Sequence, residues 1–300
     1  MNKQYVLYNP HAGTGKGEAN ARALESVLAD TELCLCDMTS IGSYSDFFAN
    51  MSEGEGIIIC GGDGTLNRFI NDTAGQTLPS PIYYYPSGSG NDFANDLEMK
   101  GADKPILIDQ YLKDLPLVYV NGMERKFING IGYGLDGYCC QVGDEMRAKS
   151  DKPVNYTSIA IKGLLFNYKR SNATVTVDGV TRKYKGPWIA ASMNGRFYGG
   201  GMMCAPTQDR LNGDGTLSFV TLHTAGKIRT LTIFPSIFKG EHVKYTKYVE
   251  VIKGKDITVK FERPTALQID GETVRDVTEY RVVSKKAVAT KTSEQKEATV

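Results

Sequence analysis

Six acids of this chain stand in glycine frames. Asp63 lies inside Gly61-Gly62-Asp63-Gly64, and Asp92 follows Pro86-Ser87-Gly88-Ser89-Gly90-Asn91. Asp209 and Asp214 share DRLNGDGTL, and Asp270 and Glu272 flank Gly271 in QIDGE. Glycine lets backbone N–H groups approach an anion closely, and a helix that starts there adds its positive end. A carboxylate in such a loop repels bare phosphate. It is compatible with phosphate when it sits beside a divalent cation or positions a hydroxyl, which is the chemistry of phosphoryl transfer. Alone, each frame also has a structural reading: a tight strand-to-helix turn for GGDG, a helix cap for Asp92, a hairpin turn for DRLNGDGTL, and a type I′ turn for Asp270-Gly271.

The elements around these frames set their geometry. Ile57-Ile58-Ile59-Cys60 is a continuous apolar run, predicted as a buried strand that ends at Gly61. Leu66, Phe69 and Ile70 then fall at helical spacing, with Gly75 as a stop. Residues 82–85 (IYYY) repeat the pattern: strand, glycine loop, then a helix over 91–97. Upstream, 4–8 reads as a strand, 9–17 (NPHAGTGKG) as a loop, 18–28 as a helix, 33–36 as a strand and 43–51 as a helix. The first loop is not a Walker motif, because Gly17 follows Lys16, and it fails the dinucleotide fingerprint at Glu18. This alternation predicts a doubly wound, parallel, Rossmann-like α/β domain, whose ligands bind beyond the carboxyl ends of its strands. Residues 106–109 (ILID) form a further short strand ending in Asp109, which faces the same crevice or serves a turn.

From about residue 117 the texture changes to antiparallel β. Asn121-Gly122 and Asp178-Gly179 each join two extended runs, and Lys253-Gly254 separates YVEVI from DITVKF. Helices are expected over 136–149, 156–168 and 228–238. Ile159, Ile161, Leu164, Leu165 and Phe166 mark the second as core. The third, with Lys239, Lys244 and Lys247 nearby, has a packed-helix reading and a bilayer-contact reading. In FINGIGYGLDG (127–137) and NGRFYGGGMMCAP (194–206) glycine is dense enough that backbone must approach something closely. The Lys, Glu, Thr and Ser-rich end, 289–300, reads as a flexible tail.

Composition removes some classes. The chain has 300 residues, 41% hydrophobic and 23% charged, with a formal net charge of +1. That balance gives no bulk electrostatic case for nucleic-acid binding. The six cysteines match neither zinc-site nor CxxC spacing, so free thiols and a cytoplasmic setting are expected. No run approaches the ~20 apolar residues of a membrane span.

The motifs and their order resemble the diacylglycerol kinase catalytic family, which includes bacterial diacylglycerol and phosphatidylglycerol kinases and the sphingosine and ceramide kinases. The resemblance rests on NPxxG at 9–13, GGDGT at 61–65, PSGSGNDFA at 86–94, NGIGYGLDG, YGGGM…AP, DGTL at 214–217 and DGE at 270–272. It implies an α/β domain over 1–116 and a β-sandwich lipid domain over 117–277. The segment 278–288 would return to the first domain, and ATP would sit in the cleft between the two. It implies ATP contacts from Asn9, Pro10, His11, Ala12, Gly13, Thr39, Gly61, Gly62, Asp63, Gly64, Thr65, Leu66, Asn67 and Ser89. Asp63, Asp92 and Asp109 would group around a catalytic Mg²⁺. Leu211 and Thr216, by backbone carbonyl, and Asp214 would hold a second, structural Mg²⁺. Glu272 matches the family's proton acceptor, with Asp92 as the other candidate. The implied activity is transfer of the ATP γ-phosphate to a lipid hydroxyl, with diacylglycerol giving phosphatidic acid, at a membrane surface that the protein meets transiently. A homodimer through an exposed edge strand is compatible with this pattern. Phosphatidylglycerol or sphingosine-type lipids are alternative acceptors. NAD kinase shares GGDGT, but Asn129 is followed here by Gly130 and not by an acid. A non-catalytic nucleotide-binding regulator would lack one of the motif acids, and all are present.

Overall fold

A computed structural model describes residues 3–99, 101–150 and 154–285. The chain divides into two compact units, Met1–Lys113 and Asp114–Val300.

The first unit alternates strand and helix. Its elements are β1 (Lys3–Tyr8), α1 (Ala12–Gly15), α2 (Gly17–Val27), β2 (Glu32–Asp37), α3 (Tyr44–Ala49), β3 (Gly56–Gly61), α4 (Asp63–Asp72), β4 (Ile82–Pro86), α5 (Asp92–Asp96), β5 (Ile106–Leu107) and α6 (Asp109–Leu112). The sheet order is β2-β1-β3-β4-β5. β1 to β4 run parallel and β5 is antiparallel to β4. Every residue of β3 is buried, as the apolar run predicts for a central parallel strand. Ser43 caps α3 by accepting the Asp46 N–H at 3.2 Å. The loop after β1 is shorter than expected, because α1 forms one turn inside it and α2 starts at Gly17. A Cβ on Gly17 would lie 1.9 Å from the Asn9 carbonyl oxygen, so only glycine lets α2 begin against that loop.

The second unit is built on β6 (Leu117–Val120), β7 (Met123–Lys126), β8 (Gly130–Gly134), β9 (Ala173–Val177), β10 (Val180–Tyr184), β11 (Ile189–Met193), β12 (Leu217–Leu222), β13 (Val249–Gly254), β14 (Asp256–Ile269) and β15 (Glu272–Val283). The main path is β13-β12-β11-β8-β14-β15-β6-β7, with β9 and β10 branching from β14. β14 pairs with β9 through its first half and with β8 through its last residues, and its register against β15 shifts between Lys260 and Leu267. That irregularity lets one long strand serve two sets of partners, the device by which sandwich-like sheets turn corners. One apolar cluster centres on Tyr133, which stacks on Phe261 at 3.9 Å. A second is covered by α7 (Leu135–Arg147), α8 (Tyr156–Lys162) and α9 (Lys227–Ile233).

Three hairpins have the expected chemistry. Asn121-Gly122, Asp178-Gly179 and Asp270-Gly271 all have positive φ at both positions, as type I′ turns require. Lys253-Gly254 is different. β13 pairs with β12 and not with β14. Gly254 is glycine because a Cβ would lie 2.3 Å from the Val177 side chain, while Asp178 accepts the Lys255 and Asp256 N–H groups at 2.9 Å. The helix expected over 156–168 ends at Lys162 and continues as a π-turn, Gly163–Asn167. Ile159 and Leu164 are core, but Ile161 is 41% and Phe166 78% exposed. Of the segment expected to return to the first unit, 278–288, residues 286–288 lie outside the described residues. β15 runs to Val283 paired with β14 and β6, both in the second unit. The tail at 289–300 lies outside the described residues.

Candidate functional site

In the first unit, β1, β2, β3 and β4 end at Tyr8, Asp37, Gly61 and Pro86 on the same edge of the sheet. The two glycine loops meet there. The Ser87 N–H donates to the Gly61 carbonyl at 3.0 Å. A Cβ on Gly88 would lie 2.4 Å from the Gly62 Cα, and one on Gly61 would lie 2.3 Å from the Thr65 hydroxyl. Glycine is therefore required at Gly88 by the loop-to-loop contact and at Gly61 by the turn into α4.

Asp63 joins the loops. It opens α4, and its carboxylate accepts the N–H groups of Asp92 at 2.8 Å and Phe93 at 2.9 Å, at the start of α5. Asn91, in the left-handed region at φ 53°, closes the second loop. Its side chain accepts the Gly88 N–H at 3.0 Å and donates to the Gly88 carbonyl at 2.8 Å. Asp92 is buried directly beside the Asp63 carboxylate.

The remaining residues of the expected nucleotide set divide by exposure. Gly64, Ser89, His11 and Thr39 are exposed at this edge. Asn9 accepts the His11 N–H through its side chain and the Ala12 N–H through its carbonyl, both at 3.0 Å, which shapes 9–13. Thr39 donates both its N–H and its hydroxyl to the Asp37 carboxylate at 2.7 Å. Thr65, Leu66 and Asn67 are buried, on the inner face of α4. They support the loop from below.

Asp109 does not join Asp63 and Asp92. Its carboxylate accepts the N–H of Ile82 at 3.2 Å, at the amino end of β4. Four residue steps of strand, about 13 Å, separate that point from the carboxyl end of β4 at Pro86. Asp109 anchors β4 from the far edge.

Asp63 and Asp92 are hard oxygen donors, the ligand type that Mg²⁺ takes. Among the described residues no group of three or more His, Cys, Asp or Glu gathers as a ready-made cation cage. At the expected second cation site, the named groups have partners within the loop. The Thr216 carbonyl accepts the side-chain amides of Gln208 at 2.9 Å and Asn212 at 2.8 Å, so both of its lone pairs are taken. The Asp214 carboxylate accepts the Thr216 hydroxyl at 2.6 Å and its N–H at 3.0 Å, which holds the acid below its usual range. Leu211 donates its N–H to Asp209 at 2.9 Å. The 209–217 loop is closed by its own hydrogen bonds.

In the second unit, Glu272 opens β15 with an exposed side chain in an ion pair with Arg125 at 3.0 Å. Asp270, two residues earlier, is buried. It accepts three backbone N–H groups: Ile128 at 2.7 Å, Asn129 at 2.9 Å and Gly130 at 3.0 Å. Arg210 and Asn194 both donate to the Ile128 carbonyl at 2.9 Å, which ties the 194–210 segment to the same place. The glycine-dense stretches serve packing within the unit. A Cβ on Gly137 would lie 1.8 Å from the Ala266 carbonyl oxygen, so α7 rests directly on β14.

Sequence reasoning missed Asp136. It is buried at the start of α7, where burial pushes its carboxyl up to about 7, and it accepts the Tyr198 hydroxyl. Arg125 carried no signal either, since a lone arginine on an exposed hairpin strand looks like a solvated charge. All six cysteines are free thiols, as expected.

Known proteins share this pattern. The family model for the diacylglycerol kinase catalytic domain matches residues 3–116, and that for the YegS C-terminal NAD kinase beta sandwich-like domain matches 129–289. The diacylglycerol kinase of Mycobacterium tuberculosis (strain H37Rv) is 26% identical over 274 residues, covering 87% of this chain and 85% of the relative. YtlR of Bacillus subtilis (strain 168), which carries a lipid-kinase name, is 24% identical over 246 residues, covering 76% and 77%. A crystal structure of a Bacillus anthracis (strain Sterne) protein that carries the diacylglycerol kinase name has the same fold. Its TM-score is 0.56 at 19% identity, over 95% of this chain and 94% of that one.

Proposed function

The chain belongs to the diacylglycerol kinase catalytic family, and from that premise we propose that it is an ATP-dependent lipid kinase, with diacylglycerol as acceptor and phosphatidic acid as product. The observation that carries this reading is the junction at Asp63. One carboxylate fixes two glycine loops to each other at the carboxyl edge of a parallel sheet, where such sheets bind their ligands.

Each group in the reaction has a named role. The exposed loops, with Asn9 to Gly13, Gly61 to Gly64 and Ser89, hold the nucleotide. Asp63 and Asp92 hold Mg²⁺ against its phosphates. The cation, when bound, supplies positive charge that neutralises the transferring phosphoryl group. Glu272 accepts the proton of the lipid hydroxyl, and the ion pair with Arg125 orients that carboxylate. The relatives' names supply the lipid; the nucleotide follows from the family and the loops.

The lipid would be met at an anionic bilayer. Residues 154–170 and 215–240 contain no Asp or Glu but carry Lys162, Lys169, Arg170, Lys227, Arg229 and Lys239. Among them Phe166 is 78% and Ile228 83% exposed, and Lys227 ties the two segments by donating to the Leu165 carbonyl. Apolar tips amid basic side chains fit a headgroup layer. Among the described residues no helix is long and apolar enough to cross a membrane.

The test is Mg²⁺·ATP turnover with diacylglycerol, phosphatidylglycerol, sphingosine and NAD in parallel, on wild type, Glu272→Gln and Asp92→Asn. Diacylglycerol is expected to react fastest, and Glu272→Gln to lose most turnover. Phosphorylation of NAD alone would overturn the lipid reading. Near-normal turnover by Glu272→Gln with loss in Asp92→Asn would move the base to Asp92.

A further inference from the structure

The turn that carries Glu272 has three N–H groups, and each has a different acceptor. Asp270 donates to the Gly130 carbonyl at 3.0 Å. Glu272 faces Ile269 in the ladder between β14 and β15. The Gly271 N–H points out of that ladder and donates at 2.7 Å to Oε1 of Gln268, a side chain only 2% exposed. The amides of Gly122 and Gly179, at the same position of the other two type I′ turns, meet no side-chain acceptor among the described residues.

The other end of Gln268 is held by shape. Its Nε2 is buried without a hydrogen-bond partner. A Cβ on Gly132 would lie 2.8 Å from that nitrogen, 2.8 Å from Asp136 Cβ and 2.9 Å from the Tyr198 ring. The amide therefore occupies a slot over Gly132, walled by the Asp136–Tyr198 pair. A buried amide whose NH₂ group has no partner is costly. The fold keeps it while its oxygen is committed to the turn.

We propose that Gln268 is a positioning residue for the proton-accepting turn: it fixes Gly271 and thereby aims Glu272, and Gly132 provides the slot that sets its orientation. This rests on the reading of Glu272 as the base. Gln268 acts only through Glu272, so its effect must vanish when Glu272 no longer acts.

The experiment is a double-mutant cycle on the full chain with Mg²⁺·ATP and diacylglycerol. Gln268→Met keeps the length and volume of the side chain and removes the acceptor. It is expected to lower kcat about tenfold with the KM for ATP unchanged, the loss corresponding to one hydrogen bond. Gln268→Glu keeps an acceptor oxygen and is expected to recover most of that loss. In the Glu272→Gln background, Gln268→Met is expected to change the residual turnover less than twofold. An equal loss in both backgrounds, or no loss in the wild-type background, overturns the proposal. Near-normal turnover by Glu272→Gln instead overturns the base assignment itself. A measurement on the unaltered protein stands apart from variant folding. Amide exchange by NMR is expected to be much slower at Gly271 than at Gly122 and Gly179, and equal exchange at the three also refutes the proposal.

Discussion

Gly88→Ala tests whether the two glycine loops form one nucleotide-holding structure. The added Cβ would lie 2.4 Å from the Gly62 Cα, 2.9 Å from the Asn91 side-chain oxygen and 3.0 Å from the Gly62 nitrogen. Carbon atoms in ordinary contact stand about 3.5–4.0 Å apart, so the loops must part by about 1 Å. Gly88 lies outside the left-handed region, so this clash is the whole effect. Overpacking of that kind costs about 1–3 kcal/mol of stability. A 1 Å displacement of groups that position a reacting phosphate costs up to about 100-fold in rate. Gly64→Ala is the paired variant. Nothing lies within 4 Å of its Cβ and its position is helical, so the change is expected to stabilise the fold by about 0.5–1 kcal/mol. Gly64 is exposed at the same edge, so its methyl group would instead meet the nucleotide. The assay is thermal unfolding together with the ATP dependence of turnover. Gly88→Ala should lose both stability and kcat/KM for ATP, and Gly64→Ala should lose kcat/KM while its Tm rises. If Gly88→Ala loses stability but keeps its ATP kinetics, the loops do not hold the nucleotide. If it loses neither, the close approach of Gly62 and Gly88 is wrong.

Two further outcomes are expected. Asp136 is held near pKa 7 in the fold against about 3.8 unfolded, so the folded chain keeps a proton that the unfolded chain releases. Its stability relative to Asp136→Asn is therefore full below pH 4 and lost as pH rises to about 8, by up to about 4 kcal/mol. Denaturant melts of both proteins at pH 4.5, 6 and 8 check this, and a pH-independent difference refutes it. At the membrane, Phe166→Ser with Ile228→Ser should leave Tm unchanged, because both side chains are exposed. The pair should lower partitioning onto anionic vesicles by tenfold or more, at about 1.5–3 kcal/mol for each side chain buried. Unchanged sedimentation with vesicles would reject that face.

The parallel α/β unit was legible because its signals are local. A buried strand is written as an apolar run, and the glycine after it marks the turn to a helix. The type I′ hairpins were legible for the same reason, since their two residues must both take positive φ. Lys253-Gly254 carries the same letters with another cause, a side chain arriving from β9. Asp109 misled because its partner, the Ile82 N–H, lies 27 residues away. The partners of Asp270 lie 140 to 142 residues away. In the 209–217 loop the sequence shows the oxygens but not their neighbours: Gln208 and Asn212 both donate side-chain amides to the Thr216 carbonyl.

A common rule underlies these cases and sharpens the choice of catalytic groups. An acid next to glycine has exposed backbone N–H groups within reach, and accepting them is its first use. Asp63 takes those of Asp92 and Phe93, Asp178 those of Lys255 and Asp256, Asp214 that of Thr216, and Asp270 those of 128–130. Frequency of Asp-Gly therefore says little about chemistry, because a carboxylate can be fully employed as a clamp. Chemistry needs an acid with something left over. Asp270 is buried under three donors and has little to offer a substrate. Asp63 accepts one N–H on each oxygen where the two glycine loops meet at the carboxyl edge of the sheet. Glu272 is bound to no backbone donor among those described, and its partner is the side chain of Arg125, which can move when substrate arrives. A proton acceptor has to exchange partners during turnover and a clamp must not, so on the proposed reading the aspartate of the DGE turn is the fixture and the glutamate is the proton acceptor.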